Sequence, residues 1–80
     1  MYEQTVPTYH STIQCDIRGI NQDDINEICS QIKGIYQRPQ EFIKKTKSGI
    51  NLCVVFFDNL LECTRVIVTA YIVEWYRLID

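Results

Sequence analysis

An α+β fold is the reading this sequence supports, and three observations carry it. Residues 22–36 repeat apolar side chains at helical spacing. Residues 12–18 alternate apolar and polar side chains at strand spacing. Residues 50–57 are apolar at nearly every position, as a covered strand is. With 80 residues there is room for one domain, taken as 1–80. The predicted architecture is a small antiparallel sheet in β-α-α-β-β order with the helices on one face. A helical C-terminal segment is the alternative.

In chain order, residues 2–6 can add a short strand, which Pro7 stops. Along 12–18, Ile13, Cys15 and Ile17 point one way, and Thr12, Gln14, Asp16 and Arg18 the other, until Gly19. Asn21 is a good N-cap for the helix that follows. Asp23, Asp24 and Glu27 place negative charge where the helix dipole favours it. Ile25, Ile28, Cys29, Ile32 and Tyr36 form its apolar stripe. Pro39 suits the first turn of a second, shorter helix over 39–46, anchored by Phe42 and Ile43. Ser48-Gly49 then makes a turn. In 50–57, Ile50, Leu52, Val54 and Phe56 face one side, and Cys53, Val55 and Phe57 the other.

The last segment reads two ways. As a strand over 65–78, it sets Val66, Val68, Ala70 and Ile72 against Ile67, Thr69, Tyr71, Val73 and Trp75. As a helix, it would start at Asn59 with Glu62 in the manner of a capping box. The run of β-branched residues favours the strand.

A chain this short buries about 60 % of its unfolded surface and is marginal without support. The four cysteines, Cys15, Cys29, Cys53 and Cys63, show no CxxC spacing, and each lies in an apolar pattern. They are expected to be buried thiols in a reducing cytoplasm, which leaves self-association, most simply a homodimer, as the source of extra stability. The longest uncharged runs are ten residues at 48–57 and eight at 66–73, where a spanning helix needs about 20. No basic, apolar leader opens the chain. A cytoplasmic protein with no membrane partner is the expectation.

Signals of chemistry are sparse. His10 has no carboxylate or nucleophile at a telling spacing, and no GxGxxG, GxxxxGK[ST], HExxH or GxSxG occurs. No enzyme activity, cofactor or metal is therefore expected. Two clusters remain. Lys33, Arg38, Lys44, Lys45 and Lys47 stand against Glu41 alone, a net +4 inside a chain of −2. Such a segment suits an acidic partner or nucleic acid. Tyr71, Trp75, Tyr76 and Arg77 are residue types that dominate protein interfaces. The favoured function is a non-enzymatic protein-binding module, an inhibitor or adaptor that occludes a site on a larger protein. The alternative is a small nucleic-acid-binding protein using 33–47. The profile resembles that of short phage and viral proteins that block a host enzyme, including host-defence antagonists. Many ribosome-associated factors and toxin or antitoxin partners share it.

Overall fold

A computed structural model describes residues 4–73. The elements run β1 (Gln4–Pro7), α1 (Tyr9–Arg18), α2 (Gln22–Cys29), β2 (Gln40–Lys45), β3 (Asn51–Asn59) and β4 (Thr64–Ile72). The fold is α+β, a small domain of two helices and four strands. The strands form one sheet in the order β1-β4-β3-β2. β1 pairs with β4 in parallel, and the β2–β3 and β3–β4 pairs are antiparallel, so the sheet is mixed.

α2 forms where the sequence marks it. Asn21 is extended at φ −82°, ψ 133°, and its side chain accepts a hydrogen bond from the Asp23 N–H. The helix ends earlier than the stripe implies. Beyond Ser30 the chain to Pro39 has no regular structure.

Two element assignments are corrected. Residues 12–18 belong to a helix, not a strand. Thr8 caps it by accepting from the Ser11 N–H at 3.0 Å. Gly19 closes it at φ 69°, with its own N–H and that of Ile20 turned back to Asp16 and Cys15 carbonyls. The alternation is coincidental: Ser11 and Cys15, four apart, face the core, while Ile17 is 73 % exposed. Residues 39–46 form no helix either. Gln40–Lys45 is strand β2, recruited because β3 offers a ladder on that side.

The C-terminal segment is a strand over Thr64–Ile72, so a helix there is excluded; the predicted residues 74–78 lie outside the described range. Its faces differ from simple alternation. The β3–β4 register slips between Val55 and Phe56: Val55 faces Thr69, whereas Phe56 faces Ile67, which leaves Val68 without an opposite residue. That extra residue switches the parity. Arg65 and Ile67 therefore share a face with Ala70 and Ile72. At the turn before β4, Asn59 caps by accepting from Leu61 and Glu62 N–H groups, but no helix follows.

The core lies between the helices and one sheet face. Cys15, Ile25, Ile28, Cys29 and Ile32 meet Leu52, Val54, Phe56, Ile67 and Ala70. Where β1 ends, α1 borders the next stretch of β4: Arg18 Nη1 donates to the Ala70 carbonyl at 2.7 Å. Among the described residues, no helix is long and apolar enough to cross a membrane.

Candidate functional site

Two features stand out beyond packing: a buried ion pair, and the sheet face that carries no helix among the described residues.

The ion pair joins neighbouring strands. Asp58 of β3 is opposite Arg65 of β4. Arg65 is 0 % exposed, and its guanidinium meets the carboxylate in a fork: Nε to Oδ1 at 2.6 Å, Nη2 to Oδ2 at 2.9 Å. It also donates to the carbonyls of Cys29 at 3.3 Å and Gly34 at 3.1 Å. Its Cζ lies 4.6 Å from the centroid of the Phe56 ring. Asp58 further accepts from the Tyr36 N–H at 2.8 Å, and the Asp58 N–H donates to the Tyr36 carbonyl at 2.6 Å. Burial alone would raise the Asp58 pKa. The hydrogen bonds from Arg65 and Tyr36 outweigh it and hold the carboxyl below its ordinary 3.8.

The pair is thus saturated by its own chain. It pins the 30–39 segment against the sheet and keeps the Asp58 carboxylate ionised at neutral pH. The nearby Cys29 thiol is pushed up to about 11, chiefly by burial, and stays protonated at neutral pH. Tyr36 adds an edge-on contact with Phe56 at 5.9 Å between centroids.

The helix-free face follows from the register. Val6 pairs with Val66 and Val66 with Phe57; Val55 pairs with Thr69 and Glu41; Cys53 pairs with Tyr71 and Ile43. Side chains of directly paired residues share a face. Val55, Phe57, Val66 and Tyr71 are half-buried there, and Val6 and Ile43 are exposed. The face is mostly apolar, with Glu41, Lys45, Thr69 and the Tyr71 hydroxyl as its polar members. Tyr71 Oη donates to Glu41 Oε1 at 3.4 Å. Cys53, beneath Tyr71, raises the tyrosine to about 12 through a hydrogen bond and charge repulsion. Burial likewise raises the Cys53 thiol, so this thiol is no nucleophile near pH 7.

Of the residues singled out by sequence, Tyr71 lies on this face. Trp75, Tyr76 and Arg77 fall outside the described residues. The basic residues are not gathered on a helix. Lys33 and Arg38 lie in the segment between α2 and β2, Lys44 and Lys45 are consecutive on β2 and point to opposite faces, and Lys47 is in the turn before β3. The sequence reading missed the Asp58–Arg65 pair, because nothing local signals that two charges seven apart will be buried. It also missed Ile43 and Val6 as surface members of the apolar face. A signal existed: 50–57 is apolar on both sides, whereas the helices cover one.

The cleft lined by Ile32, Lys33, Tyr36, Gln40, Glu41, Phe42 and Phe56 holds about 140 Å³, below the roughly 300–1,000 Å³ of small-molecule sites. A shallower hollow lined by Thr12, Ile13, Cys15, Asp16, Ile20 and Gln22 holds about 300 Å³, at the lower end of that range, and gathers no cluster of chemistry-bearing side chains. Among the described residues, no three His, Cys, Asp or Glu side chains converge as a metal site would require. No family model matches this sequence, and no curated protein or solved structure is significantly similar to it.

Proposed function

We propose that this protein is a non-enzymatic protein-binding module, an inhibitor or adaptor that occludes a site on a larger protein. One observation supports the reading above others: the helix-free sheet face presents Val6, Ile43, Val55, Phe57, Val66 and Tyr71 together. Contiguous apolar surface rimmed by polar residues is the usual mark of an interaction site. Tyr71 supplies an amphipathic anchor whose ring is desolvated at little entropic cost. Lys45 and Glu41 stand at the rim, where charge tunes on-rate and salt dependence more than affinity. The division of the basic residues between two faces of β2 weighs against a continuous phosphate-binding track.

The test is site-specific photo-crosslinking in lysate of the native host. A crosslinking residue placed at Val6 should capture one discrete protein other than a second copy of this chain. The same residue at Asp23, on the exposed side of α2, should not. Equal capture from Asp23 would refute the assignment of the face. Nuclease-sensitive products attached at Lys44 or Lys47 would favour nucleic-acid binding instead.

A further inference from the structure

A second observation, independent of the apolar face, concerns the outer edge of the sheet. Among the described residues β2 is an edge strand, so half of its backbone groups face away from β3. Which half is fixed by the hairpin. The Thr46 N–H donates to the Ile50 carbonyl at 2.8 Å, and the β2–β3 register runs from that pair without a slip. In an antiparallel ladder, bonded pairs alternate with unbonded ones. Lys44, Phe42 and Gln40 therefore bond to β3. The N–H and C=O groups of Glu41, Ile43 and Lys45 point outward. The side chains of those same three residues lie on the helix-free face, in the order acid, apolar, base.

We infer that β2 pairs with β2 of a second copy of this chain, antiparallel about a two-fold axis at Ile43. In that register Ile43 meets Ile43, and Glu41 of each copy meets Lys45 of the other. All three outward N–H groups and all three outward carbonyls find partners, six backbone hydrogen bonds in all. A two-fold axis normal to the sheet keeps the faces in register, so the helix-free faces of both copies join into one surface.

Other registers fail on charge or on bonding. Centring on Lys44 or Lys45 sets lysine against lysine, and centring on Glu41 sets glutamate against glutamate. Centring on Phe42 opposes Lys45 to Pro39, which has no N–H to give. Edge lysines usually discourage edge pairing; here Glu41 offsets Lys45 in one arrangement alone. The self-association expected from composition thus gains a specific interface at β2.

The experiment is a charge swap on the full chain, read by sedimentation equilibrium. The parent should be a dimer at high micromolar concentration. Glu41 and Lys45 are both exposed, so substitutions there leave the core intact. Lys45→Glu or Glu41→Lys turns two attractive cross-strand pairs into two repulsive ones and should weaken association about 30-fold. An equimolar mixture of the two single variants restores every Glu–Lys pair, and the heterodimer should recover parental affinity. Hydrogen exchange gives the backbone readout. Amides of Glu41, Ile43 and Lys45 should gain protection as concentration rises, while those of Phe42 and Lys44 are protected at all concentrations. A monomeric parent, single variants that dimerise as the parent does, or a mixture that stays monomeric would each overturn the inference. None of these outcomes bears on capture of a larger protein by Val6, so the two proposals fail separately.

Discussion

Removing the Arg65 guanidinium is the sharpest perturbation of this fold. Arg65→Met keeps the length and apolar stem but deletes every donor. Asp58 then loses both oxygens' partners at 2.6 and 2.9 Å and keeps the Tyr36 N–H alone. The carbonyls of Cys29 and Gly34 lose their bonds from Arg65, and Phe56 loses its stacked cation. Breaking a buried pair from one side costs about 3 to 5 kcal/mol, because the remaining charge is stranded. An 80-residue domain holds roughly 4 to 12 kcal/mol in total. The variant should therefore be largely unfolded, or have its urea midpoint lowered by about 3 M at a slope near 1 kcal/mol per M. Arg65→Lys retains the charge but not the fork, and should cost about 2 kcal/mol or more. The double variant Asp58→Leu/Arg65→Met leaves no stranded charge, so its loss should be smaller than the two single losses added. Urea denaturation followed by circular dichroism measures all four proteins. A loss under about 1 kcal/mol for Arg65→Met would refute the reasoning, since no fully buried, fourfold-bonded guanidinium can be that dispensable.

Acid should find the same weak point. Asp58 is held below 3.8 in the fold, so the unfolded chain takes up the proton first. Its contribution is complete above about pH 4 and is lost as pH falls through the depressed value; urea midpoints from pH 6 to 2 should decline there, and a flat profile would count against the ion pair. Thiol chemistry should be ordered by burial. Cys63, half-buried in the β3–β4 turn, should alkylate in the folded protein at pH 8, with Cys15, Cys29 and Cys53 following after unfolding. Mass spectrometry counts the adducts, and early labelling of Cys29 would contradict its raised pKa.

How much of this was legible in the chain depends on where each signal resides. α2 could be read directly, because Asn21, the acidic first turn and the Ile25–Ile28–Cys29 spacing all act within one or two helical turns. β3 could be read too, since nine residues with this density of β-branched and aromatic side chains suit little else. The caps of α1 were also present, in Thr8 and Gly19. They were outweighed by an alternation of isoleucines that turned out to be exposed.

Tertiary structure decided the rest. β2 is a strand because its neighbour supplies the ladder, and an isolated Pro39–Lys45 peptide carries no trace of that neighbour. The parallel placement of β1 beside β4 joins residues about sixty positions apart, which no local pattern encodes. The register slip at Val68 is of the same kind. It exists because Arg65 and Ala70, an odd number of residues apart, must both face the helices, and a regular strand cannot satisfy both. The candidate sites follow this division. Composition alone announced that more apolar surface was present than two helices cover, but which side chains share the uncovered face was set by pairing across four strands.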